Sequence, residues 1–336
     1  MVKKMKRSLP GVMISLLAGG VFFSSAVLAQ DVQVAPSESL SSYIMGTIYE
    51  QYGQTEEAVL EFEKAKELDD NNHNIYFKLG SNYARLGRLK EAIEALKYVI
   101  KLRPTELQAH YLLALVYSTQ KDYTKAASEY EIILKSLASD EPDNIEIYGY
   151  LGQLYYSQGK YQEAIEQFEK ILSLEPKNAN VMYLLGSLYL EVDKRTEALN
   201  LFLKAVDIDP EHDGCLNTLA YLYAEEGINL DDALSFINRA LAIDPDNGAY
   251  LDSLGWIYYK KGEYPEALKH LQKADSILHD PVIYEHMGDV YFALQEPDQA
   301  KKNWDRSLEL LPDQENVLKK ITQLQEKVSV QRSKSQ

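Results

Sequence analysis

Apolar side chains recur along most of this chain at the spacing of a helix face. Tyr148, Leu151, Gly152 and Tyr155 stand at i, i+3, i+4 and i+7, with polar residues between them, which predicts one amphipathic helix. A break at Gly159 follows. The stretch "YQEAIEQFEKILSL" then repeats the pattern and runs out before Pro176, a residue that does not fit a helix interior. Two helices joined by a tight turn are therefore predicted. Equivalent breaks stand at Gly53, Gly87, Gly227 and Gly262, and equivalent stops at Pro104, Pro210, Pro245 and Pro312.

This two-helix pattern is periodic. Tyr49, Tyr83, Tyr117, Tyr155, Tyr189, Tyr223, Tyr258 and Tyr291 follow one another at intervals of 34, 34, 38, 34, 34, 35 and 33 residues. Three residues before each Tyr stands Gly or Ala, as at Gly46, Gly152 and Gly186. Nine or ten residues after it stands Ala, as at Ala58, Ala164 and Ala198, and four further on a large apolar residue, as at Phe62, Phe168 and Phe202. Small residues let two helix backbones approach to about 8–10 Å, and large ones fill the space around the crossing. The pattern predicts an all-α chain of eight helix-turn-helix units: 39–72, 73–106, 107–144, 145–178, 179–212, 213–247, 248–280 and 281–312.

The order of large, small, aromatic, small, aromatic and Pro resembles the tetratricopeptide repeat, over residues 39 to about 312. The resemblance implies a right-handed α-solenoid whose first helices line a concave, partner-binding groove. Its units cannot bury their apolar faces alone, so neighbours stack and the ends need covers. Val317, Leu318, Ile321 and Leu324 at helical spacing make 313–328 the expected C-terminal capping helix, and 329–336 the expected disordered tail. Departures from the repeat are local. Asp70 replaces a Pro, Lys121 replaces the turn Gly, "SLASDEPDN" adds four residues between the third and fourth units, and "EEGINLDDA" adds one. These are expected to shift loops.

Positions that face the groove in that family fall here on Tyr43, Phe77, Arg85, Tyr111, Tyr156, Tyr183, Tyr221, Asp252, Trp256, Tyr259, Glu285, Asp289 and Phe292. Tyr and Trp carry much binding energy at low ordering cost. Only eight of the 25 Tyr are required by the repeat. Trp256 and Tyr259 are expected to be dispensable for folding. No fifth position of a unit is Lys, so a clamp for a C-terminal carboxylate is not expected. The acids Glu225, Asp252, Glu285 and Asp289 gather toward the last units, which suits a partner that is aromatic or apolar at one end and basic at the other.

Composition and charge narrow the function. The formal net charge is −16, and the first 29 residues hold Lys3, Lys4, Lys6 and Arg7 with no acid, leaving −20 on the rest. Such a chain repels phosphate backbones, so nucleic acid is not an expected partner. The basic start, the apolar run Val12–Leu28 and small residues up to Ala29 predict a cleaved export leader over 1–29, followed by a linker over 30–38. The alternative is an inner-membrane anchor at 12–28. Cys215 is the only cysteine, and a buried, inert thiol is expected. No phosphate-binding Gly loop and no metal-ligand spacing occurs, and the nearest histidine pair, His279 and His286, is expected on the surface. Repeats occupy the length, so no enzyme, cofactor or metal is expected.

The expected function is a noncatalytic scaffold or adaptor in the periplasm or on the outer face of a bacterial envelope. It would hold a protein or peptide segment during assembly of an envelope, secretion or pilus complex. The alternatives are a periplasmic chaperone for unfolded clients and the repeat-bearing accessory of a glycosyltransferase or polysaccharide exporter.

Overall fold

A computed structural model describes residues 37–334, with side chains to residue 326. The expected leader or anchor, most of the linker and the last two residues of the expected tail lie outside the described residues. Among the described residues there are 17 helices and no strand. Sixteen pair as helix-turn-helix units, in the order α1 (Ser37–Gln51) with α2 (Thr55–Leu68), α3 (His73–Arg85) with α4 (Leu89–Leu102), α5 (Leu107–Thr119) with α6 (Tyr123–Asp140), and α7 (Ile145–Ser157) with α8 (Tyr161–Leu174). The order continues with α9 (Ala179–Glu191) and α10 (Arg195–Ile208), α11 (Asp213–Glu226) and α12 (Leu230–Ile243), α13 (Gly248–Lys260) and α14 (Tyr264–Ile277), and α15 (Pro281–Ala293) and α16 (Pro297–Leu310). The seventeenth, α17 (Glu315–Lys334), stands alone. The chain forms two compact blocks, 37–170 and 171–334, divided within α8.

Within a unit the two helices meet where the sequence alternates small and large. A Cβ placed on Gly186 would stand 2.6 Å from the Phe202 ring, closer than carbon atoms approach, and Phe202 is fully buried. Gly46 faces Phe62, Gly80 faces Leu96, Gly255 faces Leu271 and Gly288 faces Trp304 in the same way. The Ala residues on the second helices, Ala58, Ala92, Ala164, Ala198, Ala233, Ala267 and Ala300, are 0% exposed. Each crossing is a bulky side chain seated in the notch left by a missing one.

Local chemistry fixes the ends of the helices. Asn72, Asn144, Asn178 and Asn247 accept hydrogen bonds from backbone N–H groups at the starts of α3, α7, α9 and α13, as N-caps do. At the turns between paired helices the backbone is left-handed. Gly53, Gly87, Gly159, Gly227 and Gly262 have φ between 66° and 79°, and Lys121, Asp193 and Gln295 take φ of 61°, 59° and 65° in the three units without that Gly.

The two insertions are accommodated differently from one another. "SLASDEPDN" does not lengthen a loop as expected. It adds about one turn to α6, which has 18 residues where most second helices have 14, because nothing in "KSLASD" stops a helix before Pro142. The extra residue in "EEGINLDDA" sits in the turn, where Gly227 and Asn229 both have positive φ. The C-terminal helix also runs further than expected. Its backbone stays helical to Lys334, since no Pro or Gly interrupts "QEKVSVQRSK". Val317, Ile321 and Leu324 of α17 bury against Ala300 and Trp304, closing that end.

A left-handed conformation costs a non-glycine residue roughly 1–2 kcal/mol, offset in part by the greater entropy of unfolded Gly. Lys121→Gly is expected to stabilise the chain by about 1 kcal/mol, read as a higher urea midpoint at unchanged m-value.

Candidate functional site

The sequence assigns thirteen side chains to one face of the first helices. In block 37–170 these are Tyr43, Phe77, Arg85, Tyr111 and Tyr156. The four rings are half-buried, one on each successive first helix. Tyr43 leans on Phe62 with ring centres 5.6 Å apart, Tyr111 on Tyr130 at 6.5 Å, and Tyr156 on Tyr161 at 5.8 Å. Burial raises the Tyr43 pKa, so its hydroxyl stays a neutral donor and acceptor. Arg85 is engaged with Glu50 at 3.2 Å, and Lys78 reaches the same carboxylate at 2.6 Å. The rings are spread one per unit and do not converge on a single pocket.

Block 171–334 gathers its assigned residues more tightly. Asp252 is 5% exposed, Trp256 7% and Asp289 8%, so these three are interior groups and not the exposed ones expected. The cause lies one unit further along the chain. His286 on α15 stacks on the Trp256 indole at 4.0 Å with the planes 13° apart, and its Nδ1 donates to Asp252 at 2.9 Å. His286 is itself buried, against the expectation of a surface histidine, while His279 is exposed. Tyr259 stacks beside the indole at 4.7 Å, the Trp256 Nε1–H donates to Glu225 at 2.6 Å, and the Lys260 ammonium lies 4.8 Å from the indole ring centre. Tyr221 lies 6.5 Å from the imidazole.

The remaining acids are also matched from within. Lys320 of α17 donates to Glu285 at 2.8 Å and to Asp289 at 2.6 Å. Trp304 donates to Asp289 at 3.1 Å, and Asn316 donates to Glu285. Asp213, on the first turn of α11, accepts from the Tyr250 hydroxyl at 2.8 Å. The acidity read at this end of the chain is therefore neutralised by donors about one period away, and the argument for a basic partner loses its footing. Four residues that complete these networks, Glu50, His286, Lys320 and Asn316, went unassigned in the sequence. The signal that could have found them is an acid and a donor separated by about one repeat, such as Asp252 and His286 at 34 residues.

What the assigned positions leave on offer is neutral and aromatic. Tyr183 sits between Phe202 and His212 at 6.0 and 5.2 Å, Tyr221 and Tyr259 are half-buried, and Phe292 lies 5.7 Å from Trp304. Burial holds the Tyr183, Tyr221 and Tyr259 hydroxyls protonated by raising their pKa, and nearby carboxylates add to this at Tyr221 and Tyr259. Half-buried rings with neutral hydroxyls can pack against apolar side chains and hydrogen-bond to a backbone, which is the chemistry of segment recognition. Cys215 is fully buried, and burial with the nearby Asp209 and Asp213 pushes its thiol up to about 12, far from a reactive thiolate. Among the described residues no three His, Cys, Asp or Glu gather to hold a metal ion, and no helix is long and apolar enough to cross a membrane.

Comparison with known proteins gives the following. Models described as tetratricopeptide repeat match residues 41–72, 77–142, 179–212 and 248–274, and one described as TPR repeat matches 152–193. The chain is 31% identical over 98 residues to the type IV pilus assembly protein PilF of Pseudomonas aeruginosa, covering 29% of this chain and 37% of that protein. It is 23% identical over 129 residues to the tetratricopeptide repeat and J domain-containing co-chaperone DNJ1 of Cryptococcus neoformans, covering 36% and 25%. The chain thus spans about a quarter to a third of these curated relatives. Among solved structures, a tetratricopeptide repeat protein of Parabacteroides merdae matches with a TM-score of 0.53 at 18% identity, over 75% of this chain and 98% of that one. PilW, a type IV pilus biogenesis factor, matches with a TM-score of 0.50 at 18% identity, over 64% and 98%.

Two outcomes are expected from the buried network. Trp256→Ala removes a core ring and should cost about 3–5 kcal/mol of stability in urea unfolding. Burial alone would push the His286 imidazole down, but Asp252 outweighs it, aided by Asp289 and Glu285, and its pKa ends above the ordinary value. A proton held more tightly folded than unfolded stabilises fully below the unfolded pKa of about 6.5, and that stabilisation is lost as pH rises through the folded value. The stability difference between the parent chain and His286→Gln should therefore be largest below that pH and shrink above it, read from urea midpoints across the range.

Proposed function

Because this chain is a tetratricopeptide-repeat protein, we propose that it is a noncatalytic scaffold that holds a protein segment against the first-helix face of its units. The observation that carries this reading is the division of that face: its acids are paired internally, while Tyr43, Tyr111, Tyr183, Tyr221 and Tyr259 remain half-buried, neutral and one per unit. A row of separate rings suits an extended or helical segment with apolar anchors spaced along it. It does not suit a small molecule, which needs convergent groups in one cavity.

We place the scaffold in the bacterial envelope, reached by the basic and apolar leader over residues 1–29. The local likeness to PilF and the fold shared with PilW support assembly of a surface filament or a related envelope machine as its setting. The partner is then a component of that machine, bound through uncharged apolar residues.

Site-specific photocrosslinking in cells tests this. A benzophenone amino acid at Tyr111 or Tyr221 is expected to give one discrete adduct, and the same group at Lys64, which is exposed on a second helix, none. A smear of many adducts at the two Tyr positions would replace the scaffold with a chaperone. Equal yield at Lys64 would remove the assigned face from the function altogether. Sequencing the N-terminus of the recovered chain reads whether residues 1–29 have been removed.

A further inference from the structure

The two ends of the array are finished differently. At the C-terminal end α17 covers α16, and the outward residues of α17 include Glu315, Asn316, Lys319, Thr322, Gln323 and Glu326. At the other end, α1 turns apolar residues outward. Leu40, Ile44, Ile48 and Tyr52 are 51%, 49%, 38% and 79% exposed, with Met45 beside them at 39%. The Tyr52 N–H bonds to the Ile48 carbonyl at 3.2 Å, so the four residues continue one straight i, i+4, i+8, i+12 row.

In the units that follow, the corresponding surface is a packed seam. One period on from Met45, Leu79 and Leu113 are each 1% exposed. Val116, two periods on from Ile48, is 2% exposed. The outward face of α1 is therefore built as a stacking surface with no earlier unit among the described residues to stack on.

We infer that this row pairs with the same row of a second copy of the chain. Three observations favour a copy as the occupant. Helix α1 contains no Lys or Arg, and of its two acids Glu50 is committed to Lys78 and Arg85, so the row carries no charge. Each chain bears −16, and two copies can approach closely only where charge is absent. The row is also self-complementary, since i±4n ridges on two helices interdigitate at a crossing of about −50°, and a two-fold axis between Ile44 and Ile48 brings identical ridges together. The polar outer face of α17 offers no matching surface for head-to-tail growth, so the contact closes at a dimer. Its five side chains expose on the order of 500 Å² per copy, near the lower bound of a specific interface, which sets the expected affinity in the micromolar range.

Sedimentation velocity of the full chain over roughly 1–100 µM tests this. A concentration-dependent monomer–dimer equilibrium is expected, with Ile44→Glu raising the dissociation constant at least tenfold while helicity and melting stay unchanged. If Ile44→Glu lowers the melting temperature, Tyr52→Glu makes the same measurement at a more exposed position. Ile44→Cys should give a covalent dimer with a short bismaleimide, Cys215 being buried and silent. A chain that stays monomeric throughout overturns the inference, whether residues 1–36 or another protein covers the row, and so does a dimer that both glutamates leave intact.

Discussion

Everything in this chain rests on one steric arrangement: a side chain absent from one helix and oversized on its partner. Where Gly186 meets Phe202, or Gly46 meets Phe62, the backbones come close enough for the ring to lie against bare main chain. Dispersion and burial are then obtained without a polar group being taken into the interior. An antiparallel pair made this way has an apolar edge on either side, and that edge forces the next pair to stack. The period of the sequence is the length of chain needed to make the notch, fill it, and return.

Stacking brings a second set of interactions, and these redefine the candidate site. Carboxylates on the first helices are met by donors one unit away: Glu50 by Lys78 and Arg85, Glu225 by Trp256, Asp252 by His286, and Glu285 and Asp289 by Lys320. A buried carboxylate is costly unless paired, and these pairs are what allow acids and aromatic rings to share a crowded face. The face left to a partner is consequently one of Tyr side chains held neutral by burial.

The fold was legible because the notch, the turn and the stop each leave a residue type at a fixed phase. The left-handed turns came with Gly at five units, and even Lys121, which breaks the pattern, adopts the conformation the pattern demands. The site was less legible. Periodicity identifies the face a residue occupies, but burial depends on what the neighbouring unit places opposite. Trp256 reads as an outward ring until His286, thirty residues away, lies flat on it, and His286 in turn reads as a surface residue until Asp252 is seen beneath it. Lys320 reads as the polar side of a cap, yet it reaches the carboxylates of α15. The four added residues near "SLASDEPDN" were equally ambiguous, since a sequence that tolerates a loop also tolerates one more helical turn.

The distribution of the carboxylate pairs has a consequence for how the array loses structure. A repeat protein held only by apolar edges frays from its ends, each unit opening at little cost to those behind it. Within block 171–334, buried polar pairs tie α11 to α13, α13 to α15 and α15 to α17, so opening one of these units strands a charge or a donor in its neighbour. Block 37–170 has a comparable charged tie from α1 to α3 through Glu50, and a neutral one from α7 to α6 through Tyr155 and Glu131. The carboxylates that a reader of the sequence would assign to a visitor thus serve as couplings, making several units behave as a single thermodynamic domain.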